Sequence, residues 1–327
     1  DEAVNIVDLF IPEERMVVFT AGRAFRDTTK YMTSEPALFP DEPLVILVNG
    51  GSASASEIVA GAIQDWDRGL VLGSTTVGKG SVQQIVNIDE YSELKLTMAA
   101  WHTPSGRSID RRMRKDSTLV SDPETAFHTK ILERVVRGGG AITPDVKGTT
   151  RQGNRLWWQL NGFASLNNQF FYYARQYRVA HPELTHAFRA NENTFDEFRS
   201  FAQQRDFEYV SEAEAHVKEL KEMAQDDDFE DLGDSIEQLI EQIDTAEEKH
   251  WQDNKDLILW RLTYAILEKA YGVHHAESYN AEVDPQVLEA RTLLANLLDY
   301  EHWFQVEEIG IGSDDTIAQD DESIDAK

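Results

Sequence analysis

A serine, a lysine and a glutamine are spaced so that they could share one catalytic site. Ser54 is the central serine of Ser-Ala-Ser-Ala-Ser (52–56), which follows two glycines and opens onto a helix-like pattern. Lys79 lies 25 positions later between two glycines, and Gln83 follows four residues after it. A serine hydroxyl can act as a nucleophile when a neutral lysine accepts its proton, without any histidine. The spacing fits a serine nucleophile, a lysine general base and a glutamine that orients the amine.

The neighbours of Ser54 bear on how it would react. Small side chains leave room for a substrate backbone, and the backbone N–H of Ala55 could donate to a developing oxyanion at the positive end of the helix dipole. The alternative is structural, because Ser52, Ser54 and Ser56 are of the residue type that caps helices, and a glycine-flanked loop lysine is ordinarily exposed. A lysine acts as a general base only when it is neutral, which burial among apolar groups favours.

The composition excludes several classes of protein. The 327 residues are 41% hydrophobic, enough for one large core or two ordinary ones, and no run approaches the roughly 18 apolar residues of a membrane span. The net charge of −28 argues against nucleic acid and anionic membrane surfaces as partners. Cysteine is absent, which excludes disulfides and thiolate chemistry. The nine histidines show no metal-ligand spacing, so we expect no metal.

The first 150 residues alternate strand-like and helix-like patterns. Short apolar or β-branched runs predict strands at 16–20, 44–48, 70–72, 81–86 and 94–101. Helices are predicted over residues 1–10 and 54–66, the second directly after the candidate nucleophile. Because strands alternate with a helix, we expect a mainly parallel α/β structure, with the run at 44–48 buried, ending at the glycine-rich turn 138–145.

The character of the chain changes near residue 150. Glycine and proline become rarer, and apolar residues recur at helical spacing, as in the run 236–243. We therefore expect an all-α acidic region over residues 151–309, with the aromatic run 170–173 packed in its core. Residues 310–327 are acidic and nearly free of large apolar groups, which is typical of a disordered tail.

A phosphate-binding loop is an alternative use of the same lysine. Residues 73–79 match Gly-x-x-x-x-Gly-Lys, and a strand-like run precedes them. The match fails at Gly80, where a Ser or Thr should bind Mg²⁺. The residues that follow read as a strand, whereas a phosphate-binding loop opens onto a helix. The sequence therefore disfavours a nucleotide site.

Four motifs of this chain resemble those of the C-terminal processing peptidases, also called tail-specific proteases. They occur in family order as Pro43–Asp65 around the serine, Gly73–Gln83 around the lysine, Thr103–Ile109 and Gly139–Asp145. The acidic helical half also resembles the C-terminal extension of a bacterial branch of this family. The resemblance covers about residues 1–300.

This resemblance implies a serine endopeptidase that cleaves proteins near their C-termini through a Ser-Lys dyad and an acyl-enzyme. Carried over to this chain, Ser54 is the nucleophile, Lys79 the general base, Gln83 the residue that orients Lys79, and the Ala55 N–H one half of the oxyanion hole. It also implies a crotonase-like α/β core shared with the Clp proteases over residues 1–150, and no metal or nucleotide. Substrates would be proteins or peptides with apolar or disordered C-termini, and oligomerisation stays open.

Members of this family carry an Asn-Pro-Gly-Gly turn, a PDZ domain and a signal peptide upstream of the helix that begins this sequence. We therefore expect a fragment of a protein that is exported to the bacterial periplasm or beyond. The missing turn supplies the second oxyanion donor, and losing such a donor costs about 10²–10³ in rate. The alternative is an inactive family member that serves as a scaffold or binds a partner through its acidic helical half.

Overall fold

The computed structural model describes residues 2–22, 28–111, 125–151, 153–162, 167–207, 209, 211–226 and 233–305. They group into two compact units. The first combines the chain up to Thr150 with the chain from Pro285 onward, and the second comprises Arg151–Asp284. The expected tail 310–327 lies outside the described residues. None of the described helices is long and apolar enough to cross a membrane.

The helices and strands follow in chain order. The described strands are β1 (Met16–Ala21), β2 (Thr29–Met32), β3 (Val45–Val48), β4 (Leu70–Gly73), β5 (Ser81–Asn87), β6 (Glu93–His102), β7 (Ala126–His128), β8 (Val135–Arg137) and β9 (Val146–Lys147). The described α-helices are α1 (Glu2–Asp8), α2 (Ala55–Asp65), α3 (Arg155–Leu160), α4 (Gln169–Ala180), α5 (Glu192–Gln204), α6 (Glu212–Asp226), α7 (Gly233–Asp253), α8 (Lys255–Tyr271), α9 (Val273–Val283), α10 (Pro285–Ala295) and α11 (Leu297–His302).

Three sheets form the first unit. The largest is antiparallel, with the strand order β2-β1-β6-β5. A smaller parallel sheet has the order β3-β4-β9, and α2 provides the crossover from β3 to β4. The strands β7 and β8 form a separate antiparallel pair. The fold is therefore a mixed structure of helices and sheets.

The expectation of a mainly parallel sheet is wrong, because β3, β4 and β9 are the only strands among the described residues that run parallel. The five residues from Ile88 to Ser92 that join β5 to β6 are too few for a parallel crossover, which needs about ten or more, so these strands form a hairpin. The run at 44–48 is also less buried than expected. Because β3 is an edge strand of its sheet, Leu47 remains exposed.

The helix α2 forms because apolar residues recur along one of its faces. Ile58, Ala62 and Ile63 are buried in a core that also contains Val7 of α1 and Val17 of β1. Burial of this apolar face fixes the helix against the sheets, and each of the two isoleucines contributes about 1.5–3 kcal/mol to folding. The N-terminal end of α2 stays at the surface, and this is the end that follows Ser54.

The chain returns to the first unit at Pro285, so the expected helical region 151–309 is not one continuous body. The helices α10 and α11 both belong to the first unit. The Tyr300 hydroxyl oxygen of α11 accepts a hydrogen bond from the Leu44 N–H at 3.0 Å and donates to the Leu44 carbonyl oxygen at 3.1 Å. This side chain thus satisfies the backbone just before the edge strand β3.

The second unit consists of the helices α3 to α9. Its main core is aromatic: Phe170 stacks on Phe198 with ring centroids 4.8 Å apart, and Tyr173 meets Phe198 edge-on at 5.4 Å. The helix α8 contributes Leu262 and Ile266 to the same core. The prediction that the aromatic run 170–173 packs in a core holds for Phe170 and Tyr173, whereas Phe171 is exposed.

Candidate active site

The backbone at Ser54 has a conformation that is rare for a residue with a side chain. Its φ is 57° and its ψ is −113°, directly before the first residue of α2. A positive φ costs a non-glycine residue free energy, and such strained positions cluster at functional sites. The side chain is exposed. The preceding turn is fixed by the Ser52 N–H, which donates to the Asn49 carbonyl oxygen at 2.9 Å.

A buried carboxylate, that of Glu57, links the serine turn to the lysine loop. It lies in the first turn of α2 and is fully buried. One oxygen, Oε2, accepts the backbone N–H of Ser54 and the backbone N–H of Lys79, each at 2.9 Å. The other, Oε1, accepts the Gly78 N–H at 2.7 Å and the Thr76 hydroxyl at 2.5 Å. Four donors therefore converge on one side chain, which is how a buried carboxylate is satisfied without a cation.

The loop that carries Lys79 is anchored by further hydrogen bonds. The Thr76 hydroxyl, which donates to Glu57, also accepts the Ile142 N–H at 2.8 Å. The Val77 N–H donates to the Ser52 carbonyl oxygen at 3.0 Å, so the loop is joined directly to the serine turn as well. These bonds hold residues 76–79 in place although they form neither helix nor strand.

Glycine is required on the N-terminal side of Lys79. Gly78 has a φ of 79°, and a Cβ atom there would lie 2.7 Å from the Arg111 Cβ. On the other side, a Cβ at Gly80 would lie 2.5 Å from the Asp110 backbone nitrogen. The loop therefore lies tightly against residues 109–111, which two glycines permit.

The structure brings the backbones of the predicted residues together without joining all their side chains. The Lys79 side chain is exposed, and among the described residues no hydrogen bond connects its amine to Ser54. The Gln83 amide, on β5, donates to the Thr97 hydroxyl at 3.5 Å and not to Lys79. Within the described part of the chain, the Ala55 N–H has no hydrogen-bond acceptor. The roles of Ser54, Lys79, Gln83 and Ala55 thus stay predictions.

Sequence analysis missed Glu57 and Thr76. A signal for Glu57 exists, because Ser-x-x-Glu at 54–57 is the pattern of a capping box. The Ser54 N–H does donate to the Glu57 carboxylate, as one half of that motif requires. The bonds to Gly78 and Lys79 have no local signal, since they join residues more than 20 positions apart.

The phosphate-loop alternative finds no support in the structure. Residues 81–87, which would have to begin a helix after the lysine, form the strand β5. A phosphate-binding loop also uses its backbone N–H groups for the ligand, whereas the N–H groups of Gly78 and Lys79 are bonded to Glu57.

Two models of known protein families match parts of this chain. Residues 1–118 match the model of peptidase family S41. Residues 165–294 match the model described as "Probable PDZ-protease, C-terminal helical domain". Ser54, Glu57 and Lys79 all lie within the residues that match the peptidase family S41 model.

Curated relatives carry the names of C-terminal processing proteases. The chain is 44% identical over 109 residues to the "Carboxy-terminal-processing protease" of Bartonella bacilliformis, a match that covers 33% of this chain and 25% of that protein. It is 35% identical over 124 residues to the "Carboxyl-terminal-processing protease" of a Synechocystis strain, covering 38% and 28%. The chain thus matches about a quarter of the length of these relatives.

Among solved structures, the photosystem II D1 C-terminal processing protease is similar at 29% identity. The match covers 44% of this chain and 30% of that chain, with a TM-score of 0.34. This TM-score is too low for the match to bear on the fold.

Proposed function

We propose that this chain is the part of a serine endopeptidase that cleaves proteins near their C-termini and that it carries the nucleophile and the base. Ser54 attacks the peptide carbonyl carbon, and the Ala55 N–H donates to the resulting oxyanion. Lys79 accepts the serine proton, and Gln83 orients the lysine amine. The names of the curated relatives support the reaction type. The residue roles rest on the motifs and on the geometry around Glu57.

The observation that carries this proposal is the convergence of the serine turn and the lysine loop on Glu57. The Ser54 and Lys79 N–H groups donate to the same carboxylate oxygen, each at 2.9 Å, so the two backbones must lie close together. Two residues that are 25 positions apart are thereby held as neighbours. Fixing a nucleophile and its base in this way removes much of the entropic cost of bringing them together.

The chemistry proceeds in two steps. As Ser54 Oγ bonds to the carbonyl carbon, its proton moves to the Lys79 amine, which then protonates the leaving nitrogen as the peptide bond breaks. The product is an ester between Ser54 and the N-terminal part of the substrate. Water then attacks this ester and gives a proton to Lys79. As the ester bond breaks and the acid leaves, Lys79 passes a proton to the Ser54 oxygen and restores the hydroxyl. The strained backbone at Ser54 presents the hydroxyl at the N-terminal end of α2, where the helix dipole favours negative charge.

The proposal also includes the fold of the two units, the substrates and the location of the protein. We infer a crotonase-like core, shared with the Clp proteases, for the first unit, and a helical domain of the processing-protease type for the second. Substrates would be proteins with apolar or disordered C-termini. The site would act outside the bacterial cytoplasm, in the periplasm or beyond. The two family matches and the relatives' names support a peptidase region and a helical domain, whereas the core type, the substrate tails and the location rest on the resemblance of the sequence motifs alone.

A serine-reactive fluorophosphonate tests the site independently of substrate. We expect the full-length protein to be labelled once, with labelling lost in Ser54→Ala and strongly reduced in Lys79→Ala. Cleavage of an unfolded protein with an apolar tail should show the same pattern. Ser56→Ala, two positions away, is the matched control and should keep both activities. Labelling that survives Ser54→Ala would exclude Ser54 as the nucleophile, and a folded full-length protein with neither labelling nor cleavage would favour the scaffold alternative.

A further inference from the structure

The strand β5 has an outer edge that no described strand covers. β5 is the last strand of the order β2-β1-β6-β5, and no strand in the described part of the chain pairs with its other side. The pairing with β6 is irregular only between Val82 and Gln83, and it is regular from Gln83 to Asn87. An open backbone edge therefore runs for about 17–20 Å at a rise of roughly 3.4 Å per residue.

This edge lacks the features that normally protect an exposed strand. Lysine, proline and strong bulges prevent edge strands from pairing with other chains. The seven residues of β5 read Ser-Val-Gln-Gln-Ile-Val-Asn and contain neither a charge nor a proline. Ile85 is 59% exposed and Val86 is 41% exposed. An uncharged, partly apolar edge of this length favours pairing with a strand of another chain.

The neighbouring strand extends the apolar surface. Val86 lies opposite Leu94, and Gln84 lies opposite Leu96, so both leucines share the face of the sheet that carries Val86. Leu94 and Leu96 are both exposed. The charges of β6 in this stretch are Glu93 and Lys95, one of each sign. The paired stretches 83–87 and 93–97 therefore carry one charge of each sign, whereas the turn 88–92 between them adds Asp89 and Glu90.

The charge of the chain decides which partner fits. With a net charge of −28, two copies of this protein repel each other over most of their surfaces. The β5 edge has no charge, so two copies can meet there without placing like charges together. Antiparallel pairing of a strand with itself follows a two-fold axis, and each contact then occurs twice. We propose that β5 pairs with β5 of a second copy, which joins two four-stranded sheets into one of eight strands.

This pairing has a consequence for the candidate active site. β5 begins two residues after Lys79, and Gln83 lies within it. Self-association would place both lysine loops at the rim of one shared sheet. The proposal itself rests on the edge, its charge and its exposed side chains, and it stands independently of the proposed peptidase activity.

Sedimentation velocity of the full 327-residue chain over a wide concentration range tests the proposal. We expect the wild type to shift from monomer to dimer with increasing concentration. Ile85→Lys should remain a monomer at concentrations where the wild type is dimeric, because it places a charge on the edge. Ile131→Lys is the matched control: Ile131 is 66% exposed in a loop far along the chain from β5, and its replacement should leave the dimer intact.

Cysteine cross-linking locates the contact, because the chain contains no cysteine. We expect Gln84→Cys to form a covalent dimer under mild oxidation, and exposed Gln203→Cys on α5 to form none above background. A wild type that stays monomeric at all concentrations, with no preferential cross-link through Gln84→Cys, would overturn the proposal. So would a monomeric wild type in which Ile85→Lys abolishes substrate cleavage, since the edge would then serve a substrate strand.

Discussion

The Thr76 hydroxyl donates a 2.5 Å hydrogen bond to the carboxylate of Glu57, and this bond joins the loop before Lys79 to the helix after Ser54. Both side chains are buried. A hydrogen bond to a charged acceptor is about twice as strong as one between neutral groups, and shielding from water strengthens it further. The pair therefore acts as a positioning device for the two residues that we propose to react.

Glu57→Gln should impair both cleavage and folding. The amide keeps one acceptor oxygen, but its NH₂ group faces N–H donors where Oε1 or Oε2 now accepts. We expect kcat to fall about 10²-fold, as for a small misplacement of reacting groups. Steady-state kinetics and thermal unfolding measure the two effects separately. Glu90→Gln, in the exposed β5–β6 turn, is the control and should change neither.

Thr76→Val should lower the free energy of unfolding, whereas Thr76→Ser, which keeps the hydroxyl, should stay closer to the wild type. Valine has nearly the shape of threonine but can neither donate to Glu57 nor accept from the Ile142 N–H. Leaving these buried partners unsatisfied should cost about 1–3 kcal/mol each in the free energy of unfolding. Chemical denaturation of the three proteins tests this. Equal stability of the valine variant and the wild type would show that these two bonds contribute nothing.

Gly78→Ala should displace the lysine loop. The substitution combines a positive φ with a Cβ only 2.7 Å from the Arg111 Cβ, so the loop has to move. Gly106→Ala is a close control, because Gly106 also has a positive φ, of 104°, but its Cβ would meet only ordinary contacts at 3.7 Å. Both should lose about 1–2 kcal/mol of stability. Only Gly78→Ala should also lower fluorophosphonate labelling of Ser54, and equal labelling in both would contradict this role of Gly78.

Tyr300→Phe should destabilise the first unit. The variant removes the hydroxyl that bonds both the N–H and the carbonyl oxygen of Leu44, and it leaves the Leu44 N–H without this acceptor. We expect a loss of about 1–3 kcal/mol in the free energy of unfolding. Tyr91→Phe, at a side chain that is 92% exposed, should have no effect in the same denaturation experiment.

The same tyrosine predicts a pH dependence at alkaline pH. Burial raises the pKa of the Tyr300 phenol above its ordinary value. The unfolded state therefore loses this proton first, and the stabilisation, complete below about pH 10, decreases as the pH rises through the folded-state pKa. Unfolding measured between pH 8 and the alkaline limit should show a smaller decrease for Tyr300→Phe than for the wild type. Parallel curves for the two proteins would exclude Tyr300 as the cause.

Local patterns predicted the helix after Ser54 and the strands on either side of it, because each is encoded by the spacing of its own apolar residues. Strand direction was not predictable in the same way. The short connection of five residues between β5 and β6 requires antiparallel pairing, but the run 81–86 alone does not reveal this. The return of Tyr300 to Leu44 had no signal either, since it joins residues 256 positions apart.

The sequence predicted the candidate residues Ser54 and Lys79 from their types and neighbours. It did not predict Glu57, the side chain that holds their backbones together. Ser54 and Lys79 stand out because small residues and glycines surround them. Glu57 looks like an ordinary helix residue until the loop 76–79 is seen to place three donors on its carboxylate. The need for those donors arises from burial, and burial is a property of the folded chain.

Amide hydrogen exchange can report on the Glu57 contacts without any substrate. The N–H groups of Gly78 and Lys79 lie in a loop that forms neither helix nor strand, where exchange is ordinarily fast. Both are instead bonded to one buried carboxylate, so opening that contact exposes both at once. Their two exchange rates should be slow, nearly equal and altered together by any ligand that tightens the site. The exchange rates of these two amides thus report whether the loop that carries Lys79 is docked on Glu57 when no substrate is present.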